Sequence, residues 1–306
     1  MVIRIKGLSK EFRTGFTMKK VLALDNLDLE VEKEEIFGYI GPNGAGKTTT
    51  IKTMMGLIHP TSGNVKIFGR DIKEISLKTD MGFLPEAPYF YDYLTAREFL
   101  DFYGQLFGLG KKERKRKIEE LLDMVDLKEA KDTQLRKFSR GMLQRIGLAQ
   151  ALINNPELVV LDEPMSGLDP VGRTKIRNII LRLKDEGKTV FFSSHILSDV
   201  ELICDKVGIL VKGRLREVGK LEDLLGERTK PIEITASGVS HKGIEKIRQI
   251  AKTLTIRDES IFITADEKGD EKKILEIIRK NNGELISLIP QRESLEDLFM
   301  EEVSSL

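Results

Sequence analysis

The sequence predicts an α/β chain built on a largely parallel sheet, with a small α+β unit appended at its C-terminal end. Three observations predict it. Short, continuously apolar runs such as LVVL at 158–161 alternate with helix-length amphipathic segments, the pattern of strands buried on both faces. A glycine-rich loop, GPNGAGKT, joins one such run to a helix. After residue 225 the pattern changes to short strands and helices, beyond a polar stretch at 226–231 that ends in proline and reads as a linker.

Taken in order, residues 2–5 and 21–31 alternate apolar and polar side chains, as half-buried strands do. The run 35–40 is more continuously apolar and ends in the glycine-rich loop, after which 47–57 reads as a helix. Residues 59–63 form a turn ahead of a strand at 65–68. Thr95 and Glu98 make a capping box that opens a helix running through Phe107. Further helices cover 112–125 and begin near Ser139. Pro156 resets the chain into the strand at 158–161, too short for a helix and half β-branched. A helix at 171–185 and strands at 189–193 and 206–211 follow. The helical block, about 87–155, is thus inserted between the loop and the strand at 158–161. Beyond the linker the order is strand 232–235, helix 243–252, strand 260–264, helix 271–281 and strand 284–288. This is a small α+β unit related to a ferredoxin-like arrangement. The expected domains are 1–228 and 229–306.

Composition narrows the class. A length of 306 residues favours about two domains. The formal net charge is +1, from 50 basic and 49 acidic residues, which argues against a polyanionic partner such as nucleic acid. The single cysteine, Cys204, excludes an internal disulfide framework, suits a reducing cytosol and reads as a small core hydrophobe. The first residues carry alternating charge rather than the apolar core of a signal peptide. No run approaches the roughly 18 apolar residues that a membrane-spanning helix needs, so any membrane part comes from another chain.

Three motifs carry chemistry. Gly41, Pro42, Asn43, Gly44, Ala45, Gly46, Lys47 and Thr48 match the P-loop pattern, between a strand and a helix as it requires. Glycines turn consecutive backbone N–H groups toward phosphate oxygens, and the helix N-terminus adds its positive dipole end. Lys47 supplies charge for the β- and γ-phosphates, and the Thr48 hydroxyl suits Mg2+. Second, the strand at 158–161 delivers Asp162 and Glu163 to the C-terminal edge of the sheet, where such sheets bind ligands. Asp162 is placed to hold Mg2+ and Glu163 to activate an attacking water as general base. Third, in FSRGMLQR, Ser139 caps a helix whose first N–H groups form another anion site.

With these motifs in this order, the chain resembles the nucleotide-binding subunits of ABC transporters over about residues 1–225. The resemblance implies a P-loop NTPase fold of that type, with a mixed sheet core, an antiparallel β subdomain and an inserted helical subdomain. It identifies Ser139, Arg140, Gly141 and Met142 as a variant of the family's signature sequence, and residues 166–169, ending in Asp169, as its D-loop. His195 falls at the switch histidine, Thr49 continues the phosphate-binding helix start, and Phe12 matches the aromatic that stacks on adenine, with Phe16 its competitor. ATP and Mg2+ are the implied ligands. The implied assembly is a head-to-tail pair of subunits, with a homodimer or a homologue as partner, bound on the inner face of the cell membrane to a separate integral permease.

Two departures stand out. Glu86 occupies a position where the family usually has glutamine, and a carboxylate there increases dependence on Mg2+. Arg140 and Met142 replace the usual glycine and glutamine of the signature; Arg140 either adds charge near the nucleotide or lies on the surface. The segments LPEAP, SRGM and the tail SLEDLFMEE resemble drug, lipid or polysaccharide exporters whose ATPase carries a small C-terminal domain. Tyr89, Phe90, Tyr91 and Tyr93 form an aromatic cluster suited to a partner. The alternative, a soluble ATPase of this type acting on nucleic acid or ribosomes, lacks the expected long coiled coil or second ATPase unit. A non-catalytic regulator is opposed by Glu163 and His195.

Overall fold

The computed structural model describes residues 1–14, 19–226, 232–257, 260–265, 270–290 and 294–304. Most of the expected linker, 227–231, and Phe16 lie outside the described residues. The chain divides into two compact units, Met1–Leu221 with Glu302–Leu306, and Glu222–Glu301.

The first unit opens with two long strands, β1 (Ile3–Thr14) and β2 (Lys19–Val31). They join β4 (Ser62–Ile67) and β5 (Arg70–Asp71) in an antiparallel sheet of order β2-β1-β4-β5. The continuously apolar run becomes β3 (Ile36–Ile40), all five residues buried, and α1 (Lys47–Met54) follows the glycine-rich loop. Next come β6 (Met81–Leu84), then α2 (Ala96–Leu106), α3 (Lys111–Met124) and α4 (Arg140–Ala151), the inserted helical block. β7 (Leu158–Leu161), α5 (Pro170–Asp185), β8 (Thr189–Ser194), α6 (Leu197–Ile203), β9 (Lys206–Val211) and β10 (Arg214–Lys220) complete the unit, before α7 (Leu221–Gly226).

The central sheet runs β10-β9-β3-β8-β7-β6. Its five inner and far strands are parallel, and β10 pairs antiparallel on the edge. Parallel strands must be covered on both faces, which is why β3, β7 and β8 are buried throughout. One core joins the two sheets: Ile3, Leu24, Leu29 and Val65 meet Phe37, Tyr39 and Phe191. Phe37 and Phe191 stack with ring centroids 5.5 Å apart. The helical block starts as expected. Thr95 N–H donates to Glu98 Oε2 at 2.8 Å, and Glu98 N–H donates to Thr95 Oγ1 at 3.3 Å.

The second unit contains β11 (Ile232–Ser237), α8 (His241–Arg248), β12 (Thr253–Arg257), β13 (Ser260–Ala265), α9 (Asp270–Lys280) and β14 (Glu284–Pro290). α10 (Leu295–Ser304) crosses the division between the units. The sheet order is β12-β13-β11-β14, antiparallel throughout. A β-α-β-β-α-β succession with this order is the ferredoxin-like arrangement, closed over a core of Ile234, Ile247, Ile263, Ile274 and Ile278. The sequence reading omitted β12 and ran the preceding helix on through its turn; α8 stops at Arg248.

Candidate active site

Three neighbouring parallel strands, β3, β8 and β7, end on the same edge of the central sheet. The sequence continues from each of them with a polar group: the glycine-rich loop, His195, and Asp162 with Glu163.

After β3 the loop folds back on itself, with Ala45 N–H donating to Pro42 O at 3.1 Å. Gly46 caps α1 with φ 112°, and a Cβ there would come within 2.7 Å of Ala23 O. Only glycine meets both demands. Thr50 N–H donates to Gly46 O at 2.9 Å, so the N–H groups of Lys47, Thr48 and Thr49 face out of the helix end. Lys47 Nζ donates to Gly41 O at 2.6 Å and to Pro42 O at 3.4 Å. It also lies 3.2 Å from Glu163 Oε1, and both side chains are 6% exposed.

The acidic pair is set by a residue that the sequence reading passed over. Ser193, buried at the end of β8, donates from its hydroxyl to Asp162 Oδ1 at 2.6 Å and accepts Glu163 N–H at 2.9 Å. One hydroxyl thus fixes both acids. Burial pushes the Asp162 carboxyl above the usual carboxylate range; the Ser193 and Thr48 hydroxyls pull it back, Glu163 adds to the rise, and Lys47 opposes it. Glu163 has φ 51°, a left-handed conformation uncommon outside glycine. Its second oxygen, Oε2, is 2.7 Å from His195 Nδ1. The Glu163 carboxylate is an acceptor for a proton on Nδ1.

A cleft of about 280 Å3 at this edge is lined by Ala23, the loop from Pro42 to Thr49, Glu86 and Glu163. Glu86 is exposed and lies just beyond β6. Phe12 is a partly exposed residue of β1 with the Lys10 ammonium 5.0 Å from its ring centroid; it is not among the residues that line this cleft. The signature residues stand apart from the cleft as well. Ser139 caps α4, its hydroxyl accepting Met142 N–H at 3.3 Å, and Arg140, Gly141 and Met142 form the first turn. The Arg140 guanidinium lies directly over Gly167, where any Cβ would overlap it. Arg140 is therefore packed on the D-loop of its own chain. Asp169 caps α5, its Oδ1 accepting Gly172 N–H at 2.7 Å.

The donor set fits Mg2+. Among the described residues no group of three or more His, Cys, Asp or Glu side chains is arranged to hold a metal. Mg2+ asks for less from the protein: one or two hard oxygen ligands, the remainder coming from phosphates and water. Thr48, which lines the cleft, and Asp162, which follows β7 at the same edge, would supply such a pair.

The family model for ABC transporters matches residues 24–166. An ABC transporter ATP-binding protein of Synechocystis sp. is 45% identical over 305 residues, which cover 99% of this chain and 84% of that one. A bacitracin transport ATP-binding protein of Bacillus licheniformis is 37% identical over 285 residues, 91% of each chain. Among solved structures, an ATP-binding subunit of an ABC transporter is 31% identical with a TM-score of 0.64, covering 73% of this chain and 92% of that one. A dimeric post-hydrolysis state of an ATP-binding cassette bound to ADP and Pi is 25% identical with a TM-score of 0.66, covering 72% and 98%. The relationship extends far past the loop that many nucleotide-binding folds share. The protein belongs to the ABC transporter ATP-binding subunits, and is an ATP-binding, ATP-hydrolysing motor of that family.

Proposed function

We propose that the chain drives export through a separately encoded membrane permease, as a homodimer whose two nucleotide sites are each completed by the partner subunit. The observation that carries this reading is the division of the motifs. Lys47 and Glu163 line one cleft, with His195 bonded to Glu163 and Asp162 tied to it through Ser193, while Ser139 to Met142 are not among the lining residues. A second copy, head to tail, brings its signature helix to the phosphates of the first. Relatives named for bacitracin transport and linearmycin resistance support export. A role on nucleic acid is not favoured, given the near-neutral charge and the transport names of the relatives.

The chain's own residues divide the work. Backbone N–H groups of the loop and Lys47 Nζ bind the β- and γ-phosphates. As Lys47 turns to the phosphates it releases Glu163 Oε1. That oxygen takes the proton from a water whose oxygen attacks the γ-phosphorus, while the bond to the β-phosphate oxygen breaks and ADP leaves. His195 stays bonded to Oε2 through Nδ1 and offers Nε2 toward the γ-phosphate region. Thr48, Asp162 and Glu86 would hold Mg2+, which when bound would neutralise charge on the phosphates. Phe12 or its competitor Phe16 is the adenine-stacking residue of this reading, and Asp169 extends the D-loop toward the partner subunit.

Tyr91, Tyr93 and Phe102 line a separate cleft of about 680 Å3 on the helical block, with Arg97 and Arg114 at its edge. Tyr89 and Tyr93 are 82% and 61% exposed. The permease docks on this aromatic face, which holds the chain at the inner surface of the membrane. No helix among the described residues is long and apolar enough to cross a membrane itself. Residues 1–228 form the ATPase, and 229–306 an accessory domain.

Glu163→Gln tests the core of this reading. The variant is expected to bind MgATP, to lose about 100-fold or more in turnover, and to run as a dimer in MgATP during gel filtration. A variant that remains monomeric at saturating MgATP would overturn the shared-site assembly.

A further inference from the structure

Asp199 belongs to none of the motifs above, yet its residue is only 3% exposed. It lies four positions beyond His195, in the first turn of α6. Two arginines of α5 hold it. Arg177 Nη1 is 3.2 Å from Oδ1 and Arg173 Nη1 is 3.6 Å from Oδ2. Arg177 is braced in turn by donating from Nη2 to the Thr174 hydroxyl at 3.0 Å. Because α5 is capped by Asp169, both arginines ride on the helix that leaves the D-loop.

The other side of α6 rests on the strand leading into the phosphate loop. A Cβ at Gly38 in β3 would come within 2.7 Å of both Val200 Cγ1 and Cys204 Sγ, so only a glycine lets α6 approach this closely. α6 is thus wedged between the phosphate-loop strand and the D-loop helix, with His195 just ahead of its first turn.

The cluster is not arranged for stability alone. Arg173 Nε and Asp199 Oδ2 are buried with no hydrogen-bond partner among the described residues. Packed apolar residues of similar volume are often as stable as a buried ion pair.

We propose that Asp199 is a positioning residue for hydrolysis. Through Arg173 and Arg177 it sets α6 against the D-loop helix, and so fixes the distance between His195, Glu163 and the γ-phosphate. A shift in the D-loop helix reaches the histidine by the same route. This inference rests on the role proposed for His195.

Steady-state MgATP hydrolysis by full-length Asp199→Asn, Arg173→Lys and His195→Ala chains tests it. Asp199→Asn is expected to lower kcat about 10–100-fold, with KM for MgATP kept within about twofold. Arg173→Lys, at a partly exposed position that preserves the charge, is expected to give the same split to a smaller degree. An unchanged kcat in either variant, or a rise in KM that matches the fall in kcat, would overturn the proposal. Should Asp199→Asn fail to fold, Arg173→Lys alone decides. Loss of turnover in His195→Ala without loss in Asp199→Asn removes only this inference. A wild-type kcat in His195→Ala removes the histidine role, and this inference with it.

Discussion

Asp162 shows what a single residue contributes before any ligand arrives. Its carboxyl is shifted upward chiefly by burial. Folding therefore favours the protonated form: the stability it contributes is present below the ordinary carboxylate pKa and is lost as pH rises through the raised value. Above that raised value, without nucleotide, the ionised carboxylate weakens the fold. Asp162→Asn keeps an acceptor for the Ser193 hydroxyl and removes the charge. It is expected to melt higher than the wild type above that raised value, with the gain shrinking toward pH 4. ATP turnover is expected to collapse in the same variant, and both effects are read by a thermal-shift series alongside a phosphate-release assay. Glu86 makes a second case. Glu86→Gln is expected to narrow the difference in ATP affinity with and without Mg2+, since the carboxylate repels phosphate until the metal is present; identical titrations would sink that idea. Lys47, Asp162, Glu163 and His195 were legible in the sequence because fixed spacing after a strand places them. Ser193 was not, because its work depends on β8 lying beside β7, a tertiary fact that local pattern does not carry. The packing of Arg140 over Gly167 is likewise a tertiary contact that local pattern does not carry.

Among the elements, α4 joins local chemistry to the proposed assembly. Ser139 satisfies its Met142 N–H, so Ser139→Ala is expected to cost about 1 kcal/mol of stability. Under the shared-site reading it also removes a hydroxyl offered to the partner's nucleotide. Turnover should therefore fall well beyond what melting accounts for, whereas a loss of turnover no greater than the thermal effect would leave Ser139 as a cap alone. Long, buried elements such as β3, β7 and β8 could be read from apolar runs, and α2 from its capping box. The missed strands share a weak signal. β6 carries Gly82, where any Cβ would overlap Ala151 O, and glycine dilutes strand character. β10 is an exposed antiparallel edge of charged residues, and β12 is exposed along most of its length. Beyond Ile5, β1 is polar and its register slips three times against β2, which hid its full extent.

At the scale of the molecule, one hydrophobic core joins the paired sheets and another lies within the ferredoxin-like unit. Ile263 is 2% exposed in the second. Ile263→Ala is expected to cost about 2–5 kcal/mol there, while ATP affinity stays at the wild-type value. Scanning calorimetry should show one transition that moves with the substitution and another that moves with MgATP; a single transition responding to both would mean that the two cores unfold as one. The change in pattern after residue 225 announced this second unit, but the identity of its sheet needed the strand order, which a sequence without its pairings does not display.

The backbone at Glu163 has a consequence for descent. Its left-handed φ of 51° suits glycine or asparagine better than glutamate, and its neighbour Asp162 is more comfortable without its charge. Activity alone holds both acids in place. In a gene copy released from its transport duty, drift toward a sturdier fold would erase the chemistry at these two positions early, and a library sorted only for heat resistance is expected to fill with inert chains changed there.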